Sequence, residues 1–167
     1  VAARLEGKTL AFDQIWRGWV EARTWWAERC DVMVVEGVGG LLCPIAERAT
    51  AADIAQAMDY PLIIVARRSL GTMNHTMLTC EAARRSGLRI AGVVLNQAEP
   101  GQGDPAWRAS RNELARWLRP IPILADVDYD EPVDDEVAAM GMVDWSGRAL
   151  APRHMPLSSS SPESGCA

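Results

Sequence analysis

Between Phe12 and Arg29 the apolar residues Ile15, Trp16, Trp19, Val20 and Trp26 recur at steps of three and four, with Arg17, Glu21 and Arg23 between them. That period predicts an amphipathic helix, whose tryptophans then serve core and interface packing rather than a ligand cage. The pattern changes at Asp31-Val32-Met33-Val34-Val35-Glu36, a β-branched apolar run with no polar alternation. Such a run predicts a buried parallel strand covered by helices on both faces. Runs of the same type return at Leu62-Ile63-Ile64-Val65-Ala66, at Ile90-Ala91-Gly92-Val93-Val94-Leu95 and, more weakly, at Ile121-Pro122-Ile123-Leu124. Helical stretches are predicted between them, from Ala51 to Met58, from Met73 to Ser86 with Gly87 as C-cap, and from Pro105 to Leu118. Strand alternating with helix implies right-handed crossovers and a parallel sheet.

Asp126 to Glu136 holds five aspartates and two glutamates among few apolar residues, and is read as a loop leading into a short helix through Met140. The end, Ser158-Ser159-Ser160-Ser161-Pro162-Glu163-Ser164-Gly165, is a low-complexity polar tail expected to be disordered, because it cannot bury enough surface to offset its ordering entropy. The 167 residues, about half of them apolar (49%), suit one domain. A net charge of −5 and the absence of any Lys or Arg run argue against a nucleic-acid surface, which gains affinity by neutralising phosphates. No stretch nears the roughly 20 apolar residues that cross a bilayer, and no signal-peptide pattern opens the chain, so no membrane partner and a cytoplasmic location are expected. Cys30, Cys43, Cys80 and Cys166 lack Cys-x-x-Cys spacing and read as core or incidental thiols, not as a zinc site. The chain begins with Val rather than Met and runs straight into a helical segment, from which an upstream extension is expected.

In an open parallel sheet, ligands bind outside the carboxyl ends of the strands. Three such ends carry candidate chemistry. At Glu36-Gly37-Val38-Gly39-Gly40 an acidic residue ends a strand and a glycine-rich turn follows. A carboxylate there can hold magnesium or its water, while glycines admit phosphate oxygens to backbone N–H groups; the alternative is a plain turn with Glu36 solvated. Ser69-Leu70-Gly71-Thr72-Met73-Asn74-His75-Thr76 leads into a helix whose N-terminal N–H groups attract an anion. The alternative there is that Thr72 or Asn74 caps the helix and His75 is structural. At Val94-Leu95-Asn96-Gln97 a strand ends in two amides, each a donor and an acceptor able to read a base, although Asn is also a common turn former.

Taken in order, Val35-Glu36-Gly37-Val38-Gly39-Gly40-Leu41-Leu42-Cys43-Pro44-Ile45, then Leu70-Gly71-Thr72-Met73-Asn74-His75-Thr76-Met77-Leu78-Thr79, then Gly92-Val93-Val94-Leu95-Asn96, resemble the dethiobiotin synthase family, the middle motif being the most specific. The resemblance runs from about Ala3 to about Asp130. It implies an α/β fold, a P-loop NTPase-like three-layer sandwich with a mainly parallel sheet whose N-terminal strands are missing from this chain. Residues 1–145 would be the C-terminal part of that domain and 146–167 the tail.

The resemblance also implies a homodimeric cyclo-ligase that uses ATP, Mg2+ and CO2 to close the ureido ring of dethiobiotin from 7,8-diaminopelargonic acid, a step of biotin biosynthesis. In that family a substrate carbamate attacks the γ-phosphate of ATP and the mixed anhydride cyclises, chemistry that depends on positioning and charge neutralisation. Carried over by motif, Glu36 matches the magnesium-ligating glutamate, and Glu36, Gly37, Val38 and Gly39 match the nucleotide-contacting turn. Asn96, with Gln97 beside it, matches the base-reading amide. Leu70, Gly71, Thr72, Met73 and Asn74 match the helix start that binds the substrate's distal carboxylate across the dimer interface. Asp128, Tyr129 and Asp130 align with a base-contacting stretch, where the family usually has an apolar, proline-containing sequence.

One departure is larger. The family's Gly-x-x-x-x-x-Gly-Lys-Thr loop, its second metal-binding aspartate and its catalytic lysines have no counterpart here, since Gly7-Lys8-Thr9 lacks the upstream glycine and a preceding strand. This chain therefore holds no catalytic residue of that family and is expected to be inactive alone. Alternatives are a non-catalytic α/β binding module, a split-enzyme subunit completed by a partner chain, or a cobyrinate-type P-loop amidoligase, against which the Leu70 to Thr79 motif speaks.

Overall fold

The computed structural model describes residues 5–100 and 105–129, with isolated positions at 141, 143, 144 and 147. Helix α1 spans Phe12–Ala27. A short antiparallel hairpin follows, β1 (Pro44–Ala46) and β2 (Ala49–Thr50), and leads directly into α2 (Ala51–Met58). The chain then alternates β3 (Leu62–Arg67), α3 (Thr72–Arg85), β4 (Ile90–Asn96), α4 (Pro105–Trp117) and β5 (Ile123–Val127). The three later strands form a parallel sheet in the order β3-β4-β5, so the parallel α/β reading holds.

Local chemistry sets the boundaries. At the start of α2 the carboxylate of Asp53 accepts from the Thr50 N–H at 2.6 Å and from the Thr50 hydroxyl at 2.7 Å, tying the first turn to the preceding strand. Its end is Asp59 in the left-handed region, φ +53°, whose N–H donates to Ala55 and Gln56 carbonyls. α3 closes as expected around Gly87 at φ +68°, with Gly87 and Leu88 N–H groups returning to the Arg84 and Ala83 carbonyls.

The core lies between the sheet and its helices. Ile90, Val93 and Leu95 of β4 are buried, as are Cys80 and Ala83 of α3, and Leu114 of α4. They pack with Ala52, Ile64, Ala66, Leu88, Leu118 and Ile121 in one cluster. Central β4 is buried on both faces from Ile90 to Leu95, which its unbroken apolar run required.

Several expectations need correction. Asp31–Glu36 is not a strand: the segment makes no ladder pairing, and Val32, Val34 and Val35 are exposed. A strand exists only through hydrogen bonds to a neighbour, and among the described residues none pairs with this run. β3 is covered on one face only, with Ile64 and Ala66 inside and Ile63 and Val65 outside. The last strand begins two residues later than predicted. Prolines at 120 and 122 have no N–H for a ladder, and Ile121 N–H turns back to the Leu118 carbonyl at 2.9 Å. Asp126 and Val127, read as loop, are its last residues. α1 buries no residue completely, and its Trp19 meets Tyr60 edge-on at 5.8 Å. The expected helix through Met140 and the polar tail from 158 to 165 lie outside the described residues.

Candidate functional site

The carboxyl ends of β3, β4 and β5 form one edge, and register decides what meets there. Asn96, the last residue of β4, stands opposite Arg67 of β3 on one side and Val127 of β5 on the other. The ladder runs one step beyond the strands: Arg68 N–H donates to the Asn96 carbonyl at 2.8 Å, and Gln97 N–H to the Val127 carbonyl at 2.9 Å. Asn96, Gln97, Asp128 and Tyr129 are thereby brought to one place, with Tyr129 and Asp128 exposed. Asp130 lies outside the described residues. The Gln97 amide donates to the Glu99 carbonyl at 3.1 Å, which orients that side chain.

Arginines line the same edge, and sequence reasoning passed over them. Arg67 donates to Glu99, and Arg68 donates to Asp128. One step inside, Arg111 of α4 donates to Asp126 of β5, whose other carboxylate oxygen is buried without a partner among the described residues. The signal available was Arg67-Arg68 placed directly after an apolar strand.

From β3 the chain turns into α3 at the same edge. Thr72 N–H donates to Ser69 at 3.1 Å and His75 N–H to Gly71 at 3.0 Å. Gly71 is the N-cap at φ +89°, a conformation that favours glycine, and no side chain caps the helix. The alternative in which Thr72 or Asn74 caps it is thus not what the chain adopts. The N–H groups of Met73 and Asn74 have no acceptor among the described residues, leaving two donors at a helix N-terminus beside an exposed Leu70. The Thr72 and Thr76 hydroxyls are buried beneath, also without partners there. His75 is exposed, its ring 3.5 Å from where a Gly71 Cβ would stand.

The glycine turn is built separately. Gly39 has φ +71°, and a Cβ on it would lie 3.0 Å from Cys43 Sγ, so both conformation and space call for glycine. Leu41 packs on the core, and the Leu41 and Cys43 carbonyls accept from Ala52 and Ala51 N–H groups at 2.8 and 3.0 Å. The start of α2 is consumed by these bonds, which fix the turn. Glu36, Gly37 and Val38 are exposed ahead of it, and no hydrogen bond or ion pair among the described residues engages Glu36. No group of three or more His, Cys, Asp or Glu side chains able to hold a metal occurs among the described residues. One accessible carboxylate still suits Mg2+, which keeps most of its waters and takes one or two carboxylates plus phosphate oxygens.

Residues 1–137 match the family model described as AAA domain, more than half of the chain. The chain belongs to the AAA domain family. Within that family it is similar to proteins named ATP-dependent dethiobiotin synthetase BioD. The relative from Anaeromyxobacter dehalogenans strain 2CP-C is 42% identical over 142 residues, covering 85% of this chain and 61% of the relative. That from Anaeromyxobacter dehalogenans strain 2CP-1 is 45% identical over 125 residues, 74% of this chain and 54% of the relative. That from Bacillus subtilis strain 168 is 41% identical over 124 residues, 74% and 51%. The resemblance read from the three motifs is therefore borne out, and the chain spans between half and two thirds of the length of these relatives. No helix among the described residues is long and apolar enough to cross a membrane.

Proposed function

We propose that this AAA-domain chain carries the base-reading and substrate-carboxylate sites of an ATP-dependent dethiobiotin synthetase, acting in the cytoplasm as a homodimer in biotin biosynthesis. The observation that carries the reading is the likeness to proteins of that name over 85% of the chain. The edge geometry supports it. Asn96 and Gln97 offer amide donors and acceptors to the base of ATP, bordered by Asp128 and Tyr129. The open N–H groups of Met73 and Asn74, at the helix start formed by Leu70, Gly71 and Thr72, receive the distal carboxylate of 7,8-diaminopelargonic acid from across the dimer.

Glu36 supplies one carboxylate to Mg2+, and Gly37, Val38 and Gly39 present backbone N–H groups to phosphate oxygens. Mg2+, when bound, neutralises charge on the phosphates. What the chain's residues do is bind and orient: they hold the nucleotide at the sheet edge and fix the substrate by its far end, where binding energy becomes positioning. The sequence holds no Gly-x-x-x-x-x-Gly-Lys-Thr loop, so these 167 residues alone do not close the ring.

The test replaces the matching stretch of the Anaeromyxobacter dehalogenans strain 2CP-C protein with the 142 aligned residues of this chain. A bacterial host lacking its own dethiobiotin synthetase then grows without biotin when given the chimera, and not when given this chain by itself. A soluble, folded chimera that fails to support growth contradicts the proposal.

A further inference from the structure

Because the sheet order is β3-β4-β5, the ends of β3 and β5 flank the end of β4, where Asn96 and Gln97 stand. Neighbouring strands are about 4.8 Å apart, so the two flanking ends are separated by about 10 Å. An arginine and an aspartate meet over that span only by reaching across the middle strand. Arg68, the first residue after β3, does so: its guanidinium donates to the carboxylate of Asp128, the first residue after β5. Beneath this bridge the backbone is tied on both sides of β4, by the Arg68 N–H to the Asn96 carbonyl and by the Gln97 N–H to the Val127 carbonyl. The Arg68 side chain is only 15% exposed, against 61% for Asp128. The guanidinium is the covered partner and the carboxylate the wetter one, so the bridge draws Asp128 inward over the strand end.

We propose that Arg68 is a positioning residue for nucleotide binding, which, paired with Asp128, clamps residues 127–129 at a fixed distance from the Asn96 and Gln97 amides and so sets the width of the base site. Asp128 then acts through Arg68 and does not itself touch the base. This inference rests on reading Asn96 and Gln97 as the base-contacting amides. It assigns to the pair a role that neither residue type suggests alone, because the ion pair depends on the register of three strands.

The experiment titrates adenosine, which needs no phosphate loop, into the 15N-labelled chain and follows the side-chain amides of Asn96 and Gln97. Exchange of the Gln97 N–H is measured on the same samples. Arg68→Ala and Asp128→Ala are each expected to weaken adenosine binding about tenfold and to speed Gln97 exchange, the size expected when one member of a coupled charged pair is removed. The swapped pair, Arg68→Asp with Asp128→Arg, recovers most of both losses, which a loss of fold would not allow. Should Arg68→Ala fail to fold, Arg68→Lys keeps the charge without the planar fork and is expected to weaken binding about threefold. Wild-type affinity in a folded Arg68 variant overturns the proposal, as does a loss in Asp128→Ala alone, which would put Asp128 on the base. A wild-type chain whose Asn96 and Gln97 signals ignore adenosine overturns the base-site reading itself.

Discussion

Replacing Gly92 by alanine should destabilise the chain, although alanine is ordinarily the better residue within an element. Gly92 lies in central β4 opposite Ile63, one position after a register shift in the β3–β4 ladder. The β4–β5 ladder shifts between Val93 and Val94, which leaves Leu124 as the extra residue on β5. Leu124 consequently folds over Gly92, and a Cβ built there would stand 2.4 Å from its Cγ and 2.7 and 2.8 Å from its methyl carbons. Ordinary carbon contacts are about 3.5–4.0 Å, so the overlap exceeds about 1 Å. It involves Cγ, so Leu124 must leave its rotamer and cannot merely swing its tip. Overpacking of this kind costs about 1–3 kcal/mol, while the reduced freedom of the unfolded chain returns about 0.4–1 kcal/mol. At the middle of both ranges the net loss is about 1.3 kcal/mol. Urea unfolding followed by circular dichroism should show the midpoint falling by about 0.5–1 M at unchanged slope, for a slope near 2 kcal/mol per M. In a Leu124→Ala background the same substitution should cost nothing or stabilise. Equal cost in both backgrounds, or no cost in either, refutes the reasoning about the two register shifts.

Leu114→Ala should remove about 2–5 kcal/mol, since this side chain is fully buried where α4 meets the sheet, and lower the melting temperature by roughly 5–15 °C; a loss below about 1 kcal/mol would contradict that packing. Hydrogen bonds from the Thr50 backbone and side chain hold the Asp53 carboxyl below its ordinary value of 3.8. Its contribution to stability is therefore complete above that value and lost as pH falls through the lowered one, so Asp53→Ala should cost about 0.5 kcal/mol at pH 6, small because the carboxylate is exposed and screened, and nothing once wild type is acidified well below pH 3.8, as urea midpoints at both pH values would show. Burial pushes the Cys80 thiol up to about 11, only partly countered by Arg84, so in the native chain at pH 8 iodoacetamide should label half-buried Cys30 and Cys43 long before Cys80; equal rates by peptide mass spectrometry would mean that α3 does not cover it.

The sequence disclosed those parts of the molecule that short-range chemistry settles. α2 and α3 fall within a residue of their predicted limits because a cap at each end, Thr50 with Asp53 and Gly87 with Leu88, is written locally. β4 was legible because an apolar run buried on both faces has few alternatives. The Asp31–Glu36 run failed as a strand for the opposite reason: pairing is a property of two segments, and composition describes only one. The β1–β2 hairpin, three residues against two, is too short to leave a periodic signal. At the site, Asn96 and Gly71 could be placed in advance because they end or follow strands. Arg68 could not, since its meeting with Asp128, sixty positions away, follows from strand order and register.

If the proposed function is right, this chain binds and orients ATP and substrate for ring closure once a phosphate loop is supplied. The most direct measurement is mass-spectrometric detection of dethiobiotin from 7,8-diaminopelargonic acid, bicarbonate, ATP and Mg2+ with the purified Anaeromyxobacter chimera, beside the same chimera carrying Glu36→Gln. Product is expected from the first, dependent on ATP, and a loss of at least about tenfold in the second, because the carboxylate offered to Mg2+ is gone. A folded chimera that makes no dethiobiotin, or one indifferent to Glu36→Gln at limiting Mg2+, would contradict it.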